Sequence, residues 1–259
     1  MTALSIHLGL NAVDPAHYDG WSGELAACEH DATDMASIAQ AAGFVPTLLL
    51  TEAATGDALM GLLARCGTLR AGDRLLITFA GHGSQVPDMN GDEADGADET
   101  WVLHDRMVID DELYSAIRRL QPGVRLILVS DSCHSGTVDR AMTGRIDRSM
   151  PAALSAAVYA HHDRTYGRIR SRTAGAGPSD ARCEGLLMAA CQDNQVALDG
   201  DRNGLFTGTL KGIWAGGRFR GSYLDAMRAA RAAMPRFQIP NLLTLGSPAR
   251  RIELDSLFA

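Results

Sequence analysis

Lysine is nearly missing from this chain. Of its 24 basic residues only Lys211 is lysine and the rest are arginine, which reads as a composition bias. No apolar run approaches the ~20 residues needed to cross a bilayer. The stretch Met1–Leu10 has no basic segment ahead of its apolar residues, so no secretory leader and no membrane association are expected, and a cytoplasmic location is the default. The five cysteines contain no CxxC pair, which excludes a zinc ribbon or a disulfide framework and fits a reducing compartment. Gly9-Leu10-Asn11 stands where a phosphate-binding glycine loop would follow a first strand, and it lacks that pattern, so a nucleotide-binding protein is disfavoured. A net charge of −7 argues against a nucleic-acid partner.

What is present suits a globular fold. The chain has 259 residues, 46% hydrophobic and 21% charged, enough for one α/β domain with a modest extension. Apolar runs at 4–10, 45–50, 73–80, 124–130 and 186–190 read as strands, with 251–254 as a short last one. Amphipathic stretches at 31–42, 55–66, 109–120, 205–214 and 223–234 read as helices. Asp110 and Asp111 open the third of these, where negative charge suits a helix N-terminus. Strands separated by single helices predict an α/β fold with a mostly parallel sheet flanked by helices on both faces. Two segments break the rhythm. Residues 86–112 carry ten acidic residues against one arginine, and residues 140–182 carry eight arginines against three aspartates. The second reads as a flexible linker over 140–183, between a larger part (1–139) and a smaller part (184–259) of one domain.

In a parallel α/β sheet the functional groups gather beyond the carboxyl ends of the strands. The strand at 73–80 runs into Gly81-His82-Gly83-Ser84-Gln85, and that at 124–130 into Asp131-Ser132-Cys133-His134-Ser135-Gly136. His82 and Cys133 can therefore meet although 51 positions apart. A thiolate is the nucleophile that cysteine chemistry needs, and an imidazole can generate it and protonate the leaving amine. The backbone N–H groups of Gly83 and Cys133 are candidates for stabilising an oxyanion. Separately, a cysteine after a strand is a common small core residue and a histidine a common surface or core one. His134 is a rival base. Neighbours in extended chain point to opposite sides, which favours His82. Cys191 reads as core or pocket wall. Cys28, Cys66 and Cys183 have no supporting neighbours.

These motifs resemble those of the metacaspases, or bacterial caspase-like cysteine peptidases, of the caspase clan. Beyond the two strand ends, the matching stretches are 90–99 (Asn-Gly-Asp-Glu-Ala-Asp-Gly-Ala-Asp-Glu), 109–113, 190–195, 204–207 and 238–240. The resemblance implies a caspase-like fold, a His82–Cys133 dyad, and cleavage after arginine or lysine instead of aspartate. Asp131, two residues before Cys133, should face the same side and line the substrate pocket. The resemblance adds Asp31, for which a helix N-cap is the alternative. Paired carboxylates would hold a guanidinium strongly. Asp193 is a further candidate for the cleft or a simple turn residue. Ala80 stands where many relatives carry serine.

The same resemblance implies calcium on Asp98, Asp110 and Asp111. A fourth ligand, Asp139, is displaced by one position, with Arg140 where the acid should be. An EF-hand is excluded by the loop spacing. The alternative is a solvated acidic loop with helix-capping aspartates. No organic cofactor is expected. Arginines in the 140–183 segment, including Arg140, Arg145, Arg148, Arg164, Arg168, Arg170 and Arg172, are candidate sites of self-cleavage. The expected partners are peptides or proteins with a basic residue before the cut. The chain is expected to be monomeric by analogy. A catalytically silent caspase-like scaffold is the competing function.

Overall fold

The computed structural model describes residues 1–258 except 89–95, 134–145, 174, 193–194 and 247–250. Six strands form the main sheet: β1 (Ala3–Gly9), β2 (Val45–Leu50), β3 (Arg74–Ala80), β7 (Arg125–Asp131), β8 (Glu184–Ala189) and β9 (Asn241–Leu245). They lie in the order β2-β1-β3-β7-β8-β9. All neighbouring pairs are parallel except β8 with β9. The β7–β8 pairing joins the chain before and after residues 140–183 into one sheet.

Alternation along each strand splits the core in two. Leu76 and Ile127 face α1 (Cys28–Ala41), α6 (Leu205–Trp214) and α7 (Tyr223–Ala233), while Leu75, Ile77, Leu126 and Leu128 face α2 (Gly56–Cys66) and α3 (Asp110–Ile117). The helix-flanked, mostly parallel sheet expected from the sequence is what forms. Among the described residues, no helix is long and apolar enough to cross a membrane.

Three features depart from the sequence reading. The acidic segment is not only loop: β4 (Gly83–Pro87), β5 (Ala97–Val102) and β6 (Met107–Ile109) make a small antiparallel sheet. The last strand is β9, and residues 252–254 form a 3-10 turn instead. The expected linker contains two helices, α4 (Ala152–His161) and α5 (Asp163–Thr173). Met150, Val158 and Tyr166 from this segment pack with Val86, Val102, Met107 and Ile109 of the small sheet. Its arginine count hid those apolar positions. Leu154, Val158, Tyr166 and Ile169 supply a helical apolar stripe, and α5 turns Arg164, Arg168 and Arg172 outward.

Register brings the functional chain segments together. Ala80 at the end of β3 pairs with Asp131 at the end of β7, so the turns carrying His82 and Cys133 leave adjacent strands at the same edge. The first turn of α1 sits at the end of β1. A Cβ on Gly9 would lie 2.2 Å from the Cys28 carbonyl, so only glycine permits this approach. It carries Asp31 to the same edge of the sheet.

Candidate active site

Both members of the expected dyad are buried. The His82 Nε2 lies 3.0 Å from the Gly23 carbonyl oxygen. A carbonyl only accepts, so Nε2 carries the proton and Nδ1 is left with a lone pair. Nδ1 is buried without a hydrogen-bond partner among the described residues. Burial pushes the imidazole down to about 4, despite the Gly23 contact, so His82 is neutral near pH 7 and presents a free base at Nδ1. Trp21 packs against the ring, 4.8 Å between centroids. The Cys133 Sγ rests 2.6 Å from the Gln195 carbonyl oxygen. Cys191 is close by: its thiol is pushed strongly upward by hydrogen bonding with Cys133 and by burial, which makes it the pocket wall expected from sequence and a poor nucleophile.

The two N–H groups expected to stabilise an oxyanion converge on one atom. Gly83 N donates to the Arg148 carbonyl oxygen at 3.0 Å, and Cys133 N donates to the same oxygen at 3.1 Å. The chain around Arg148 lies in extended form. Arg148 N donates to the Ala197 carbonyl (2.9 Å), Asp199 N to the Ile146 carbonyl (2.8 Å), and Met150 N to the Gly83 carbonyl (2.9 Å). Asp147 bridges Leu198 in antiparallel fashion and Ser149 bridges Gly83 in parallel fashion.

The side chain of Arg148 completes the picture. It is 0% exposed. Its Nη2 donates to Asp31 Oδ2 at 2.5 Å and to Asp199 Oδ1 at 2.9 Å. Nη1 donates to the Asp131 carbonyl at 3.0 Å and stands 3.2 Å from Asp131 Oδ2. Nε donates to Asp199 Oδ1 at 3.3 Å. Burial opposes the charge, but Asp131, Asp31 and Asp199 hold the guanidinium firmly protonated.

The carboxylates are themselves anchored. Asp131 Oδ2 accepts from Thr207 N and Oγ1, and Asp31 accepts from Gly204 N and Asn203 Nδ2. Burial pushes the Asp31 carboxyl up to about 6 even with Arg148 beside it. Asp31 lies inside the first turn of α1, whose N-cap is Ala27, so the N-cap alternative is not realised. Gly204 closes the pocket: a Cβ there would sit 2.5 Å from Arg148 Nη1.

Thus Gly83, Cys133, Asp31 and Asp131 converge on Arg148, and His82 immediately precedes Gly83. Asp193, Asp139 and His134 lie outside the described residues. Sequence reasoning missed Asp199, Asn203, Gly204 and Gly23, and it expected Arg148 to be exposed, whereas it is wholly enclosed. The only available signal was the Gly204–Thr207 stretch, which holds two of the pocket's supports.

The expected calcium ligands behave differently. Asp98 and Asp111 are buried, and burial with the neighbouring Asp98 charge pushes Asp110 up to about 8. The Arg170 Nη2 stands 2.7 Å from Asp98 Oδ2 and donates to the Pro87 carbonyl. Among the described residues no three acidic, histidine or cysteine side chains converge as a metal requires. The carboxylate chemistry suits a divalent cation, but Arg170 is paired with Asp98 and the described side chains, as placed, do not form such a site.

The Peptidase C14 caspase-domain model matches residues 12–246. The chain belongs to the caspase-domain family. Among curated relatives of this caspase domain, Metacaspase-1 of Yarrowia lipolytica is 27% identical over 237 residues, covering 75% of this chain and 51% of that protein. Metacaspase-1 of Arabidopsis thaliana is 38% identical over 135 residues, covering 50% of this chain and 33% of that protein. The chain thus spans a third to about half of the length of these relatives. Among solved structures, a Geobacter sulfurreducens protein is 42% identical with a TM-score of 0.92, covering 100% of this chain and 98% of that one. Caspase-1 from Spodoptera frugiperda shares the fold at 11% identity and a TM-score of 0.55, covering 95% of this caspase domain and 87% of that chain.

Proposed function

We propose that this caspase domain is a cysteine endopeptidase that cleaves after arginine or lysine, and that its own Arg148–Ser149 bond is its first substrate. One observation carries the reading. The Arg148 carbonyl accepts from Gly83 N and Cys133 N while its guanidinium fills a pocket of three carboxylates. That is how a peptide must lie for its carbonyl carbon to be attacked by Cys133.

The chemistry follows from the groups in place. His82 Nδ1 takes the thiol proton, and Cys133 Sγ bonds to the Arg148 carbonyl carbon. The negative charge on oxygen is met by the two N–H donors. Collapse breaks the bond to Ser149 N, which takes the proton from His82. Water, deprotonated by the same imidazole, then hydrolyses the thioester and restores the thiol. External substrates would pair with Ala197–Asp199 as residues 146–148 do, so the intact chain obstructs its own cleft until that segment leaves. Asp98, Asp110 and Asp111 would supply the carboxylates to a calcium ion, with Arg170 displaced from Asp98.

Mass spectrometry of the purified protein tests the proposal. A fragment beginning at Ser149 is expected from wild type and absent from Cys133→Ala. Fragmentation that persists in Cys133→Ala, or an intact wild type that also leaves arginyl and lysyl amides untouched, would overturn it.

A further inference from the structure

Asp31 and Asp131 already flank the arginine in this pocket, so a third carboxylate is not needed to attract a positive charge. Asp199 does something the other two do not. Its Oδ1 receives both Nε (3.3 Å) and Nη2 (2.9 Å), the edge of the guanidinium. The opposite nitrogen, Nη1, faces Asp131. The donors are therefore read at three separated points of a plane. Asp199 is also held rigidly: its Oδ2 accepts from Ala26 N at 2.7 Å, its own N–H pairs with Ile146, and only 4% of it is exposed.

We propose that Asp199 is the specificity-determining residue that makes this site prefer arginine over lysine. The inference rests on the reading that Arg148 marks where a substrate's basic side chain binds. Lysine carries a methylene where arginine has Nε–H, so it offers Asp199 no donor there. Its three N–H groups radiate from one atom that stops a bond short of the guanidinium nitrogens. It cannot serve the Asp131 main chain, Asp31 and Asp199 together. In the Asp199→Asn variant, the amide oxygen would stay with Ala26 N–H and the NH₂ would face the guanidinium, replacing an acceptor by a donor.

The test uses two peptide amides identical except for arginine or lysine before the cut, with wild type, Asp199→Asn and Asp199→Ser. The ratio of kcat/KM for the two peptides is the readout, since a loss of folded enzyme cancels from it. Wild type is expected to favour arginine by roughly tenfold or more, and both variants to lose most of that preference, as a charge-assisted contact is removed from arginine alone. A wild-type ratio near one, or an unchanged ratio in the variants, overturns the proposal and leaves the peptidase reading intact. Loss of both activities in both variants also overturns it, because Asp199 would then be a structural support. No turnover of either peptide by wild type overturns the peptidase reading itself, and the proposal with it.

Discussion

Arg148 and Asp31, 117 residues apart in the chain, meet at 2.5 Å with both side chains withdrawn from solvent. Removing one partner of a buried ion pair leaves the other charged and unpaired, at a cost of about 3–5 kcal/mol. Arg148→Ala, made in a Cys133→Ala background to prevent cleavage, is therefore expected to lose about that much stability, since Asp31, Asp131 and Asp199 would face one another. Chemical denaturation measures it. A loss below about 1 kcal/mol would mean that water or another cation replaces the guanidinium freely.

Gly204 has ordinary backbone angles for any residue, φ −57° and ψ 155°, so alanine is tolerated by the main chain there. Its side chain would still collide with the guanidinium at 2.5 Å. Gly204→Ala is expected to stop cleavage at Arg148 and to cut turnover of arginyl amides at least tenfold, while far-ultraviolet circular dichroism stays that of wild type. Normal processing of Gly204→Ala would show that the arginine is not held where this pocket places it.

His7 lies wholly buried on β1, with Nδ1 2.8 Å from Thr78 Oγ1. Burial pushes it down to about 3. Its folded pKa is below the unfolded value of about 6.5, so its neutral form stabilises the fold above pH 6.5, and that contribution fades as the pH falls toward 3. His7→Asn removes this one proton-linked term. The stability difference between wild type and variant is expected to shrink by about 3 kcal/mol from pH 7 to pH 4. Paired urea titrations at the two pH values read it, and a difference independent of pH would contradict the assignment.

Arg170 is paired with Asp98, one of the carboxylates proposed to hold calcium. Releasing that carboxylate by Arg170→Gln is expected to lower the calcium concentration at which thermal unfolding shifts upward, relative to wild type. Coincident calcium titration curves for the two proteins would place any bound calcium elsewhere.

Much of this was readable from the linear chain. Apolar runs buried on both faces marked the central strands, because a parallel sheet covered by helices leaves no polar face. His82 and Cys133 stood out because small residues surround each at a strand end. Asp131 followed from its two-residue offset to Cys133. The antiparallel sheet β4–β6 was hidden by the acidic residues of β5 and of the segments joining its strands, and the α4–α5 segment by the arginines of α5. In both, local charge outweighed a sparse apolar stripe that only makes sense against a partner surface.

The order and alternation of residues alone thus set the layered α/β architecture and the two ends from which a sulfur and an imidazole emerge, since burial periodicity and short-range turn chemistry are local properties. Which carboxylates share a pocket was decided only in three dimensions. Asp199 and Gly204 come from a loop and a helix start far from Asp31 and Cys133, and no spacing rule links them. The enclosure of Arg148 likewise depends on pairing with Ala197–Asp199 on one side and Gly83 on the other. Those are long-range hydrogen bonds between backbone groups, and backbone groups are the same in every residue.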